Sequence, residues 1–189
     1  MTVAAGARPA DGDRASATHP RSGPALLPWL VAVVLLLVLR AWVVEPLVIS
    51  GGSMAPTLAA GDHVLVEKLL PKRAWHRGDL LAFTAPDGTL MVKRAVGLPG
   101  DRVGLRDGVL VVNGRRMDEP YVDQEAVDSV YYGPVRVPAG HVLVMGDDRG
   151  ASIDSRQFGP VSVTDVEGRV AAVLWPPDRV TGDVSGGVW

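Results

Sequence analysis

Between Ala25 and Val44 the chain reads ALLPWLVAVVLLLVLRAWVV, a run whose one charged residue is Arg40. A helix needs about 20 apolar residues to cross a bilayer, and no second stretch of the sequence offers them. Three structures fit such a run: a cleaved leader, a helix buried in a soluble core, and a retained membrane anchor. Small residues at leader-cleavage spacing do not follow it, since the chain continues Arg40, Ala41, Trp42, Val43, Val44. A helix apolar all round would need protein on every side, which 189 residues hardly supply. The retained anchor is therefore the expectation, with Arg40 snorkelling and Trp29 and Trp42 at the two interfaces. Arg8, Arg14 and Arg21 precede the run and favour a cytoplasmic N terminus, while Arg40, Lys68, Lys72 and Arg73 follow it and weaken that bias.

Residues 1–24 are rich in Ala, Gly, Pro, Ser and Thr without apolar periodicity, and read as a disordered cytoplasmic tail. After the apolar run the pattern changes to short β-branched stretches separated by turn residues: HVLVEKLL, DLLAFTA, TLMVKRAVG, GVLVVNG, HVLVMGD and GRVAAVLW. The pairs Asp87-Gly88, Asp107-Gly108 and Asn113-Gly114 tolerate positive φ, so at least two tight hairpins are expected. The fold class expected is mostly β: a compact antiparallel sheet or partly open barrel over residues 45–175, preceded by the 25–44 anchor. Residues 176–189, with Pro176, Pro177 and several glycines, are expected to form a flexible tail.

Several function classes are excluded early. A formal net charge of −2 leaves no polycationic surface to neutralise phosphates, so nucleic acid is not an expected partner. The chain has no cysteine, which removes disulfides, thiolate nucleophiles and thiolate metal sites. His19, His63, His76 and His141 are scattered, with no HExxH spacing, and the run Asp147, Asp148, Asp154 lacks the alternating ligands of a calcium loop. Neither metal nor cofactor is expected.

Four segments are candidates for chemistry. Ser50-Gly51-Gly52-Ser53-Met54-Ala55-Pro56-Thr57-Leu58 begins just after the apolar run; glycines before a serine let the backbone bend and converge N–H groups on an oxyanion, although Gly-Gly-Ser is also a common linker. Gly61-Asp62-His63 reads as a turn into a strand. In Leu90-Met91-Val92-Lys93-Arg94-Ala95-Val96 a period of two places Lys93 on one face with Met91 and Ala95. Burial there would lower the lysine pKa toward that of a base working near neutrality, whereas an edge strand would leave the same lysine solvated. The last segment, Gly146-Asp147-Asp148-Arg149-Gly150-Ala151-Ser152-Ile153-Asp154-Ser155-Arg156, is either a polar surface loop with an Asp154–Arg156 pair or a support for a catalytic lysine.

Taken together, SMAPTL, KRAVGLPGD and GDDRGASIDSR behind a single apolar run resemble the conserved boxes of the type I signal peptidases, serine endopeptidases of family S26. The resemblance runs from the apolar segment to about Pro160. It implies Ser53 as nucleophile, Lys93 as general base, Ser152 as the hydroxyl orienting the lysine, and Asp154 with Arg156 as a supporting ion pair. Met54 is implied to shape the cleft, and the Ser53 and Gly52 backbone to serve the oxyanion. Two residues depart from the family pattern: Gly51 stands where a serine often adds an oxyanion contact, and Asp148 where asparagine is usual. The implied substrate is the signal peptide of an exported preprotein, cut after Ala-x-Ala-like sites, with membrane lipid as the other partner and a monomer assumed. The catalytic domain would be extracytoplasmic on a single-pass plasma-membrane protein. The interval from Asp101 to His141 is short, so a minimal fold without a large insertion is expected. Leu47, Val48 and Trp75 are candidates for an apolar rim at the lipid surface. A self-cleaving Ser-Lys repressor would need a DNA-binding module in place of the apolar helix, and an inert tethered β-domain would not need Ser53, Lys93, Ser152, Asp154 and Arg156 together.

Overall fold

The structure, a computed structural model, describes residues 26–68, 75–123 and 130–180, without the side chains of Leu26 and of residues 39–42. The chain divides into two compact units, 1–36 and 37–189. The first helix, α1, spans Leu26–Val43, with Pro28 tolerated in its first turn, where the N–H has no intrahelical partner. Its described side chains from Leu27 to Val38 are exposed. Among the described residues no helix is long and apolar enough to cross a membrane. The anchor expected at 25–44 reaches past them, and the roles expected of Arg40 and Trp42 lie outside the described side chains, as does the 1–24 tail.

The β-region consists of two antiparallel sheets. The larger has seven strands in the order β1-β2-β11-β3-β4-β9-β10, formed by β1 (Val44–Val48), β2 (His63–Glu67), β3 (Leu80–Thr84), β4 (Leu90–Gly97), β9 (His141–Met145), β10 (Val161–Ser162) and β11 (Val166–Trp175). The smaller orders β7-β6-β5-β8, from β5 (Arg102–Arg106), β6 (Val109–Val112), β7 (Arg115–Arg116) and β8 (Tyr132–Arg136). The interval from Asp101 to His141, expected to carry no large insertion, holds the four strands of this small sheet. Tight turns fall where the sequence placed them: Asp107 (φ 54°) and Gly108 (φ 75°) join β5 to β6, and Asn113 (φ 53°) and Gly114 (φ 82°) join β6 to β7.

The two-residue strand period sorts the core. Leu80 and Ala82 of β3 enter one cluster with Met54, Leu58, Val64, Val66 and Val92, while Leu81 and Phe83 enter another with Ala95, Val142 and Val144. The third cluster joins the sheets: Val96, Leu143 and Met145 of the large one meet Val103, Leu105, Leu110 and Val112 of the small one. Asp101 fastens the same junction, accepting hydrogen bonds from Arg77 (2.7 and 2.9 Å), the Leu98 N–H (2.7 Å) and Asn113 Nδ2 (2.9 Å).

One expectation needs correction. Trp75 does not belong to an exposed rim, because it is buried in the cluster of Leu81 and Phe83. After Trp175, Pro177–Arg179 make a 3-10 turn, with the proline fixing φ at its start, and Arg179 bonds back to the body of the domain. Residues 181–189 lie outside the described residues.

Leu143, fully buried between the sheets, gives a test of that junction. Leu143→Ala is expected to cost about 2–5 kcal/mol of unfolding free energy, read by urea denaturation; a loss below about 1 kcal/mol would mean that the sheets are not joined there.

Candidate active site

Ser53 opens a tight turn. The Ala55 N–H donates to the Gly52 carbonyl (2.9 Å) and the Leu58 N–H to the Met54 carbonyl (2.8 Å). Met54 and Leu58 are buried in the first core cluster and hold the turn by its apolar side. Thr57 holds its polar side, its hydroxyl donating to Asp147 Oδ2 (2.5 Å). Gly51 and Gly52 are exposed, and a Cβ at either would meet nothing within 4 Å.

Lys93 is a central-strand lysine. It stands opposite Leu81 in the β3–β4 register and is 4% exposed. Its Nζ and Ser53 Oγ are hydrogen-bonded. Burial pushes the Lys93 pKa down from its ordinary 10.5, against the opposing pull of the Asp154 and Asp147 carboxylates and with help from Arg156. Removing water from around an ammonium favours the neutral amine, so burial biases Lys93 in that direction. Over the pair lies a cleft of about 360 Å³ whose walls include Leu47, Val48, Met54, Leu90, Met91 and Ile153.

The segment after β9 closes the site from behind. Asp154 caps the short helix α2 (Ser155–Phe158) in a capping box with Gln157. Its carboxylate accepts from Arg156 Nε (2.8 Å), Arg156 Nη2 (2.9 Å) and the Gly146 N–H (3.0 Å). Burial alone would raise the Asp154 pKa, but these bonds hold it below the usual carboxylate range. The Asp154–Arg156 pair named in the sequence is formed. Ser152 Oγ is buried beside it and has no hydrogen-bond partner among the described residues, so the bond expected from Ser152 to Lys93 is not made in this structure. Asp148, the departure from asparagine, donates its N–H to the Ser53 carbonyl (3.2 Å), while its carboxylate accepts from the Ala151 N–H (3.1 Å).

Sequence reasoning gave no role to the residues that lock these segments together. Arg94, next to Lys93, is fully buried and forms a two-pronged pair with Asp147 (Nε to Oδ1 2.8 Å, Nη2 to Oδ2 2.6 Å), while its Nη1 donates to the Gly78 carbonyl (2.7 Å). The Tyr121 ring covers the guanidinium at 3.7 Å. Beyond it a second buried pair, Glu119 with Arg149, is fixed by Arg149 Nη1 (2.7 Å) and turned toward the site by Arg149 Nε on the Gly146 carbonyl (3.0 Å). Gly146 is the tightest point: an added Cβ would lie 2.3 Å from Ser152 Oγ and 2.4 Å from the Ser53 carbonyl oxygen. One signal was available in the sequence, because Lys93 and Arg94 are consecutive charges within an apolar strand, and buried charges require partners.

A family model described as "Signal peptidase, peptidase S26" matches residues 24–175. The chain is 39% identical over 165 residues to the signal peptidase I of Bacillus caldolyticus, covering 79% of this chain and 89% of that one. It is 38% identical over 162 residues to the signal peptidase I of Bacillus licheniformis, covering 80% and 87%. With the signal peptidase IB of Staphylococcus aureus strain Mu50 it shares 33% identity over 172 residues, covering 80% and 90%.

The buried ion pair makes a prediction separate from the dyad. Asp147→Asn leaves Arg94 charged without its counter-ion and is expected to destabilise the fold by about 3–5 kcal/mol in chemical denaturation. A loss under about 1 kcal/mol would show that the pair does not hold the site.

Proposed function

The chain belongs to the signal peptidase family, peptidase S26, and from that premise we propose that it is a type I signal peptidase working through a Ser53–Lys93 dyad. The observation that carries the reading is the hydrogen bond between a buried lysine and a serine on a glycine-flanked turn, at the floor of a cleft open to a peptide.

In the proposed reaction neutral Lys93 Nζ takes the Ser53 hydroxyl proton as Oγ attacks the scissile carbonyl carbon, giving a tetrahedral oxyanion. The Ser53 N–H, with the Gly52 backbone, is proposed to meet that charge. Gly51 contributes no hydroxyl, so stabilisation leans on backbone donors, each worth about 3 kcal/mol where such donors have been removed. As the C–N bond breaks, Lys93 passes the proton to the leaving amine. It then takes a proton from water, whose oxygen attacks the acyl-enzyme, and returns it to Ser53 as the ester bond breaks. The Ser152 hydroxyl, buried and without a partner among the described residues, is the group proposed to turn to Lys93 and orient it during the reaction, and Arg156, paired with Asp154, holds the Ser152 carbonyl.

The substrate is the signal peptide of an exported preprotein. Small residues at its −1 and −3 positions would suit shallow apolar walls that exclude bulk. Residues 25–44 are assigned as the membrane anchor, with the N terminus cytoplasmic and the β-domain outside. An anchored enzyme and a substrate held in the same bilayer meet at high effective concentration, so modest intrinsic affinity suffices.

Cleavage of a preprotein with an Ala-x-Ala site by detergent-solubilised full chain tests the reading, with sequencing of the new N terminus and kcat/KM followed against pH. Cutting after the second Ala is expected, lost on Ser53→Ala and on Lys93→Ala. Because Lys93 must be neutral to accept a proton and its pKa is lowered, kcat/KM should climb as pH rises and level off below 10.5. A profile flat through the neutral and mildly alkaline range, or cutting that survives Ser53→Ala, would overturn the dyad.

A further inference from the structure

The nucleophile turn is pinned from two directions, and one of them comes from the far end of the chain. On the inner side Thr57 donates its hydroxyl to Asp147 (2.5 Å). On the outer side Arg179, in the 3-10 turn that follows β11, brings a single Nη2 to the Pro56 carbonyl (3.1 Å), the Thr57 carbonyl (3.0 Å) and Asp62 Oδ2 (3.3 Å). Asp62 is itself buried, and its Oδ2 accepts the Ala59 N–H (2.8 Å). The cation therefore ties the start of the 56–62 loop to its end. Two carbonyls and a carboxylate converge on one point, an arrangement that suits a cation with several N–H bonds. Carbonyl oxygens of a turn aimed at one point repel each other unless a donor sits between them, so removing the guanidinium frees the turn that begins at Ser53.

We propose that Arg179 is a positioning residue for catalysis: a C-terminal strap that fixes the Pro56–Thr57 peptides, and through them the Ser53 hydroxyl and N–H, relative to Lys93. It touches neither substrate nor reacting atoms. Its side chain is about one-third exposed, and it lies outside the three core clusters, so its loss should loosen the turn without unfolding the domain. The role rests on the peptidase reading and adds to it a requirement for the segment after Trp175.

The test compares preprotein cleavage by full-length wild type, Arg179→Met and Arg179→Lys, with kcat, KM and thermal midpoint measured for each. Met keeps the bulk and removes every donor; Lys keeps a cation with three N–H bonds. The strap predicts that Arg179→Met loses about tenfold or more in kcat with KM changed by less than about twofold, since displacements near 1 Å suffice for such losses. Arg179→Lys should recover a substantial part, and the thermal midpoints should stay close together. Wild-type kcat in Arg179→Met, equal losses in Met and Lys, or a loss that tracks the unfolded fraction would overturn the strap while leaving the peptidase reading intact. Failure of the wild type to cleave would overturn both.

Discussion

The site depends on the buried pair of Arg94 and Asp147. Charges of opposite sign placed out of water are stable only when paired and hydrogen-bonded, because the cost of stripping water from either alone is several kcal/mol. That condition forces three separate parts of the sequence into one place: β4, which carries Lys93 beside Arg94; the turn of Ser53, through Thr57; and the segment after β9, through Asp147. Tyr121, from the segment between β7 and β8, covers the guanidinium, and Glu119 with Arg149 continues the arrangement to the Gly146 carbonyl. Separating β4 from the segment after β9 would part Arg94 from Asp147, and moving the Ser53 turn would take the Thr57 hydroxyl from the same carboxylate.

The same arrangement bears on the proposal that Lys93 is the base although two carboxylates lie near it. Asp154 and Asp147 would each retain its proton, which opposes the effect of burial. Both carboxylates are already engaged by guanidinium groups of their own, Arg156 and Arg94. Desolvation is then the larger effect, and the amine beside Ser53 Oγ is biased toward its neutral form.

Much of this was legible in the sequence. Alternating apolar runs marked β2, β3, β4, β6, β9 and most of β11, and the Asp-Gly and Asn-Gly pairs marked two turns with positive φ. Three of the strands that escaped notice, β1, β5 and β8, carry residues that disguise a strand. Pro46 in β1 and Pro134 in β8 can sit in sheets because both strands lie at sheet edges, where a missing N–H is tolerated. Gly104 interrupts β5 because the Tyr132 carbonyl approaches to 3.0 Å of where its Cβ would be. At the site, the motifs named Ser53, Lys93, Asp154 and Arg156, but the pairing of Arg94 with Asp147 spans 53 residues and that of Glu119 with Arg149 spans 30. Contacts at such separations are set by the folded sheets and leave no local pattern. Arg179 was hidden for another reason: Pro-Pro and the glycines beyond it look like a tail, whereas the prolines stiffen the short turn that delivers the guanidinium.

The proposed mechanism requires that the folded protein lower the Lys93 pKa, so that the neutral amine forms more readily than in a free lysine. Selective 13C labelling of lysine, with the Lys93 Cε resonance assigned by its absence in Lys93→Met and followed through a pH titration in Ser53→Ala protein, reads that directly. The structure predicts a midpoint below the 10.5 of an ordinary lysine. A midpoint at or above 10.5 in folded protein would contradict it, because Lys93 would then be an ammonium across the working range and could not take the serine proton.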